Sequence, residues 1–253
     1  MYFNDPTNYA YILGGVIALI VSLLIFSKDP KKILNILFGG SLFLWSISLL
    51  CNALTFLFVN PDEKAVEIIR DYTTSAGVIS ATLIFAAAYS MYKGTHFLKK
   101  WYFFFPVCII TIVSVIIVIL FDHVVWDNET GEGVKTTQES WVLIFLYVIP
   151  AIMIIFAEYY FIKTRMEVSD KLVRKRILYF ILGFVFIFCG VLVYILFSIL
   201  EQTVGIKHSI VEYSSWIIAS IFWALGPILM LIGFYQGKIH KKEKYKQDES
   251  IAL

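Results

Sequence analysis

The sequence predicts an all-α integral membrane protein, a bundle of seven transmembrane helices with its N-terminus outside the cell and its C-terminus in the cytoplasm. Of its 253 residues, 59% are hydrophobic, and the mean hydropathy is +0.79, which lies above the range of soluble domains. Seven apolar runs each approach the ~20 residues that cross ~30 Å of hydrocarbon. Lysine and arginine are concentrated in alternate connections between these runs, as expected when every run crosses the bilayer.

The seven predicted spans follow one another with short connections. They are Tyr9–Ser27, Ile33–Val59, Val66–Tyr92, Trp101–Phe121, Ser140–Ile162, Ile177–Leu200 and Tyr213–Tyr235. We therefore predict one transmembrane domain over residues 1–236 and a short tail over 237–253, which is basic and then acidic and is expected to be disordered beyond its first turn. No lysine or arginine precedes the first span, so we expect it to stay as an uncleaved anchor.

The connections predict the orientation and the contacts with the membrane. Basic residues are concentrated in 28–32, 93–100, 163–176 and 238–246, and the positive-inside rule places these segments in the cytoplasm. Lys163–Arg176 is rich in helix formers, so we expect a continuous helical extension beside anionic lipid headgroups, or alternatively a docking site for an acidic signalling partner. On the other side, Asp122–Glu139 carries Gly131 and Gly133 and is predicted to be a turn-rich loop. The net charge of only +2 argues against a nucleic-acid partner.

The second span has a polar face that lipid would tolerate poorly. Ser41, Trp45, Ser48, Asn52 and Thr55 recur at steps of four, three, four and three, which places all five on one side of a helix. Because unsatisfied polar groups are costly in hydrocarbon, this side is predicted to face the interior of the bundle.

The third span begins with charged residues. Arg70 and Thr55 both lie about four residues, or ~6 Å, from the outer ends of their predicted helices. Arg70 is therefore predicted to reach the Asn52 and Thr55 end of the polar face, with Asp71 or Glu67 as its counter-charge. At this depth the guanidinium can alternatively extend to the headgroups, which is a structural role without a ligand.

The seventh span repeats the helical spacing with aromatic residues. Trp216, Ser220, Trp223 and Pro227 lie at steps of four, three and four. Opposite Trp45 they would form an aromatic-lined cleft with a few hydroxyls, a composition typical of small-molecule pockets, although such stripes also serve packing alone. The candidate pocket residues are Trp45, Ser48, Asn52, Thr55, Arg70, Asp71, Trp216, Ser220 and Trp223. Pro227 and Pro150 are predicted to bend their helices.

Enzyme and cofactor chemistry is not indicated. The four histidines divide between the two predicted sides of the membrane, and no HExxH, GxSxG or P-loop pattern occurs. The last span contains no lysine to which retinal could attach. We therefore predict no enzymatic activity, no cofactor and no metal. Asn128 begins a glycosylation sequon on the predicted outer side, a three-residue match that is common by chance.

Several short motifs together resemble a known family. They are Asn35-Ile36-Leu37-Phe38 followed by Ser41-Leu42-Phe43-Leu44-Trp45-Ser46, an arginine near the start of the third span, Ala86-Ala87-Ala88-Tyr89, Leu146-Tyr147 through Tyr160, and Arg174-Lys175-Arg176 leading to Ile181-Leu182-Gly183. In this order they resemble the N-terminal seven-transmembrane sensor region of membrane histidine kinases. The resemblance implies a receptor and, by analogy, a homodimer. Only 17 residues follow Gln236, so we expect no kinase domain here and output through a cytoplasmic partner.

The sequence thus favours a receptor-like seven-helix sensor of the cell membrane that binds a small molecule or lipid. A small transporter or channel is the alternative, although no internal repeat between the two halves is evident. A structural subunit of a membrane complex is a third possibility.

Overall fold

A computed structural model describes the backbone of residues 6–55, 63–126, 134–138, 141–142, 144–204 and 210–251. Within these ranges the chain forms seven α-helices, two strands, one 3-10 helix and one π-helical segment. The α-helices are α1 (Pro6–Lys28), α2 (Ile33–Thr55), α3 (Glu63–Lys93), α4 (Trp101–Phe121), α5 (Ile149–Glu167), α6 (Lys171–Val204) and α7 (Ile210–Ile251). The 3-10 helix is Thr95–Lys99, the π-helical segment is Ile144–Val148, and the strands are β1 (Asp122–Trp126) and β2 (Val134–Gln138).

The helices have the length and composition of an α-helical membrane bundle, which confirms the predicted fold class at this level. Six stretches of the described chain are long and apolar enough to cross a membrane, and the stretch in α4, Phe105–Phe121, is apolar but shorter. The six are Asn8–Lys28, Ile33–Leu54, Lys64–Lys93, Ile144–Glu167, Lys171–Val193 and Ile217–Tyr235.

The connection between α4 and α5 differs from the predicted loop. β1 pairs antiparallel with β2, with Asp122 opposite Gln138 and Trp126 opposite Val134. Both segments are rich in valine and threonine, whose branched side chains favour strands over turns. Gly131 lies between the strands and outside the described residues, as does Asn128 of the predicted sequon.

The prediction of one continuous helix over Lys163–Arg176 is wrong. α5 ends at Glu167, and α6 begins at Lys171. Asp170 explains the new start, because its carboxylate accepts hydrogen bonds from the backbone N–H groups of Leu172 (2.7 Å) and Val173 (3.3 Å). This is the geometry of a helix N-cap.

The last helix, α7, continues to Ile251, past residue 236. The division at residue 236 between a transmembrane domain and a short tail stays a prediction.

The closest helix pair is α6 and α7. Their backbones meet at Gly183 and Gly226, and a Cβ atom built on either glycine would lie 2.7 Å from the carbonyl oxygen of the other. Gly183 also faces Met230, whose side chain is fully buried. Only glycine permits this approach, which is the usual device for close helix packing in membranes.

The first two helices use small residues in the same way. Ala18 and Ser22 of α1 are fully buried, and the Ser22 hydroxyl donates to the carbonyl oxygen of Gly39 at 2.8 Å. Gly14, one turn away from Ala18, faces Leu49 and Trp223. Gly14, Ala18 and Ser22 recur every four residues in the sequence, a spacing of small residues that suits close helix packing in membranes.

One half of the bundle has a dense aromatic core. The Phe161 side chain is fully buried, and its ring stacks with those of Phe38, Phe180 and Phe184 at centroid distances of 5.9, 6.4 and 5.4 Å. Phe38 also stacks with Phe180 at 4.8 Å. These four rings join α2, α5 and α6.

Basic side chains close the same half. Lys28 donates through Nζ to the carbonyl oxygen of Phe234, and Arg176 donates to Gly233 at 3.1 Å and to Phe234 at 3.4 Å. Lys163 lies over the ring of Tyr92, 4.8 Å from its centroid. We call this the basic end of the bundle. The end of α1 and the start of α6 therefore lie next to residues 233–234 of α7, and the ends of α3 and α5 meet each other.

Candidate functional site

A cavity of ≈ 270 Å³ lies inside the bundle. Its walls come from α1, α2, α3, the π-helical segment, α5, α6 and α7. Phe184 lines the cavity and also stacks on Phe161, so the phenylalanine core lies next to the cavity on the side of the basic end.

The polar face of α2 forms one wall. Ser41, Trp45, Ser48 and Asn52, four of the five residues singled out by their spacing, line the cavity. Ser41 is fully buried, and Ser48 is nearly so. Thr55 is the last residue of α2, and its side chain is outside the described part of the structure.

A second polar wall comes from α3. It consists of Arg70, Thr73, Thr74, Gly77 and Ser80, together with apolar residues further along the helix. The two threonine hydroxyls each donate to the backbone carbonyl four residues earlier at 2.9 Å, so their oxygens remain able to accept from a ligand. Gly77 leaves room for a methyl group, since a Cβ atom there would make an ordinary van der Waals contact with the Ser48 hydroxyl at 3.6 Å.

The two polar walls are joined by a pair of serines. The Ser41 and Ser80 hydroxyl oxygens lie 2.9 Å apart, and each hydroxyl is also 2.9 Å from the backbone carbonyl oxygen of the other residue. Both side chains are buried. The pair therefore satisfies itself, and it fixes the register between α2 and α3.

An aromatic cluster bounds the cavity at α7. The ring of Trp223 stacks on that of Tyr11 at 5.4 Å and meets Trp45 edge to face at 6.4 Å. The pyrrole edge of Trp223 fits against Gly190, where a Cβ atom would lie 2.5 Å from Nε1. The buried Nε1 atoms of both tryptophans have no hydrogen-bond partner within the part of the chain that the structure describes.

The fifth helix enters the cavity through an irregular turn. Leu146 and Tyr147 belong to the π-helical segment, and Pro150, Ala151 and Ile154 continue the lining into α5. Pro150 has no N–H to donate to the carbonyl of Leu146, which favours a widened turn over a regular one at this point. The irregularity predicted at this proline is thus a π-helical turn before α5.

Two other predicted pocket residues, Asp71 and Ser220, are placed differently, and a third is outside the described side chains. Asp71 faces a separate depression on the α4 side, together with Tyr72 and Ser75. Ser220 does not line the cavity, and its hydroxyl donates to the carbonyl of Ile217 at 2.7 Å. Trp216 lies in α7, but its side chain is outside the described part.

The sequence also contains a signal for the α3 wall that the predicted pocket did not include. Arg70, Thr73, Gly77, Ser80 and Ile84 lie at steps of three, four, three and four, the same spacing that identifies the α2 face. All five line the cavity. Only Arg70 was predicted, because a charge within a span indicates function more strongly than small or apolar side chains do. The contribution of Tyr11 has no comparable local signal, since it depends on how α1 packs on α7.

A buried acid lies on α5 beyond the cavity. Glu158 is one turn after Ile154, which lines the cavity, and it is therefore on the same side of the helix. Neither of its carboxylate oxygens has a hydrogen-bond partner among the described residues. Such a group is costly in hydrocarbon, and intramembrane carboxyls of this kind are often functional.

The chemical groups that line the cavity are of few kinds. Within the described ranges, no group of three or more histidine, cysteine, aspartate or glutamate side chains is arranged to hold a metal ion. The lining is mainly apolar and aromatic with a few hydroxyls, one amide and one guanidinium, as in sites that select a small molecule.

Comparisons with known proteins do not assign the chain. No protein-family model matches it, and no curated protein matches it significantly. The resemblance to the sensor region of membrane histidine kinases therefore stays a prediction.

Proposed function

We propose that this chain is a receptor-like membrane module that binds a small molecule or lipid in the cavity of its helix bundle and signals to a cytoplasmic partner. The observation that carries the proposal is the cavity itself, one wall of which is the polar face that helical spacing predicts on α2. A bundle built only for packing has no need of two polar walls around ≈ 270 Å³ of space.

The helix α7 connects the cavity with the basic end and could transmit a signal between them. Trp223 borders the cavity, and α7 continues from it to Gly233 and Phe234, whose carbonyls are held by Lys28 and Arg176 at the basic end. A ligand that shifts Trp223 would therefore act on the helix that those two cations hold. Loops at this end are rich in lysine and arginine and suit an acidic partner.

We also propose that all seven α-helices cross the cell membrane, with the N-terminus outside and the basic end in the cytoplasm. The clustering of Lys28, Lys163 and Arg176 at one end supports this orientation through the positive-inside rule. Cysteines introduced at Lys64 and Lys175, in a background without native cysteines, test it. An impermeant maleimide should modify the first in intact cells and the second only after permeabilisation. The reverse pattern would invert the orientation.

Ligand binding is tested by blocking the cavity. The chain in phosphatidylcholine nanodiscs is heated with a panel of single-chain carboxylates, alcohols and amines and with water-soluble metabolites. At least one compound should raise the melting temperature of the wild type but not of Ala151→Phe, which fills the cavity. Ile152→Phe is the matched control because Ile152 is exposed on the neighbouring face of α5. If no compound separates Ala151→Phe from the wild type, the binding function is wrong.

Transport is the second candidate, and Glu158 is the observation that favours it. A buried carboxyl without a partner in the described residues, on the cavity side of α5, is suited to carry a proton or cation. Proteoliposomes containing the wild type would then show a proton or cation flux that Glu158→Gln abolishes. Equal and negligible flux in both would exclude this candidate and leave the receptor.

A further inference from the structure

The shape of the cavity restricts what it can hold. Its lining on α3 runs from Arg70 to Ile84, fourteen residues, or ~21 Å at 1.5 Å per residue. Its lining on α2 runs from Ser41 to Asn52, or ~16 Å. A lining that extends this far along two neighbouring helices is elongated, which suits one extended chain better than a compact ring system.

The two ends of this cavity differ in charge. Arg70 lies at one end and is the one charged residue that lines the cavity in the part of the chain described here. Glu67 and Asp71, its acidic neighbours in sequence, are not among the lining residues. Arg70 has interactions of its own within the protein. Because a guanidinium carries five N–H donors, it can bind an anion while it keeps them.

The ends also differ in the polar groups that a ligand can use. At the far end from Arg70, the hydroxyls of Ser41 and Ser80 are closed on each other, and their neighbours Leu42, Ala81 and Ile84 are apolar. The end near Arg70 instead has a concentration of polar lining groups, among them Asn52 and the threonines of α3. Trp45, between the ends, adds a buried indole N–H without an acceptor in the described chain.

We propose that the ligand is a single-chain amphiphile with an anionic head group, a carboxylate or a phosphate monoester, whose head lies at Arg70 and whose chain runs along α3 towards Ile84. This inference rests on the proposed ligand-binding function and gives its ligand a chemical class. Trp45 can donate to an ester or hydroxyl oxygen next to the head. The apolar end receives the chain without leaving a polar group unsatisfied.

Binding of four probes of equal chain length tests the head group. They are a straight-chain carboxylate, the corresponding lysophosphatidate, the alcohol and the amine, each titrated onto the full chain in phosphatidylcholine nanodiscs. We expect both anions to bind at least tenfold more tightly than the alcohol and the amine, and the better of the two identifies the head. Arg70→Gln should remove this preference, whereas Arg174→Gln, an exposed arginine at the other end of the bundle, should not.

A photoreactive carboxylate with a diazirine at the chain terminus tests the direction without any substitution. Crosslinks should map to peptides containing Ile84 or Phe184, and a diazirine next to the head should label those containing Asn52 or Arg70. Exchange of the two patterns would reverse the binding direction and overturn the inference. Equal affinity of the wild type for the alcohol, the amine and the anions would overturn the inference that the head group is anionic. The proposed binding of a ligand in the cavity would not be affected. If no probe distinguishes the wild type from Ala151→Phe, the inference fails, and the proposed function fails as well when the water-soluble metabolites also give no difference.

Discussion

The two halves of the bundle contain the same helices but are packed in opposite ways. Towards the basic end, the rings of Phe38, Phe161, Phe180 and Phe184 stack on one another. In the other half, serine, threonine and glycine replace bulky residues on α2 and α3, and a cavity remains. Under the proposed function, the first half supplies stability and the second keeps space for the ligand.

The largest effect is expected from Phe161→Ala. The fully buried ring contacts three other phenylalanines, and its removal should lower the free energy of unfolding by about 3 kcal/mol, since a cavity forms in a packed region. Denaturant titration in mixed micelles measures it. Phe188→Ala is the control because Phe188 already borders the cavity, and its loss should cost less than half as much. Equal losses would show that the two halves do not differ in packing.

The difference in packing between the two halves is tested a second time by replacing glycine with alanine at one position in each. Gly183→Ala should destabilise by about 2 kcal/mol, because the new Cβ would lie 2.7 Å from the backbone oxygen of Gly226 and force α6 from α7. Gly77→Ala should be neutral or stabilising, because its Cβ would lie 3.6 Å from the Ser48 hydroxyl and enter the cavity. Melting temperatures in nanodiscs compare them. A tolerated Gly183→Ala would contradict the close approach of the two helices.

The stability of the basic end should depend on the hydrogen bonds that its individual cations donate. Arg176→Met keeps the aliphatic stem but loses donors to Gly233 and Phe234, and we expect a loss of about 1.5 kcal/mol. Lys28→Met should have a similar cost, whereas Lys171→Met, at an exposed position at the start of α6, should have none. The same titration measures all three. An effect of Lys171→Met as large as that of Arg176→Met would assign the loss to net charge and not to the hydrogen bonds.

The smallest expected effect is the coupling between Ser41 and Ser80. A double-mutant cycle of Ser41→Ala and Ser80→Ala should give a coupling energy of about 0.6 kcal/mol, typical of hydrogen bonds between transmembrane helices. Ser46→Ala is the control, since the buried Ser46 hydroxyl has no hydrogen-bond partner in the described structure and its removal should not destabilise. A coupling energy of zero would mean that the pair does not hold α2 and α3 in register.

Local periodicity predicted the helices and one wall of the site well. Five helix starts or ends of the predicted spans agree with the structure to within about two residues, and the α2 face was found because its spacing depends only on the helical repeat. The features it missed depend on other elements. Ser220 shares the face of Trp223 on a helical wheel but lies beyond the cavity, and the side chain of Asp71 faces α4. The hairpin of β1 and β2 was not predicted because glycine indicates turns locally, whereas strands form only by pairing with each other.

Neighbouring helices around the cavity are not packed equally tightly, and this affects how a lipid would reach the cavity. Glycine contact closes the seam between α6 and α7, Ser22 and Gly39 close that between α1 and α2, and the serine pair closes that between α2 and α3. The contact between α5 and α6 is much less extensive than the contact between α6 and α7. Its π-helical turn and Pro150 also interrupt its regular surface beside the cavity. Under the proposed binding of an amphiphile, the boundary between α5 and α6 is therefore the side through which we expect the ligand to enter from the bilayer.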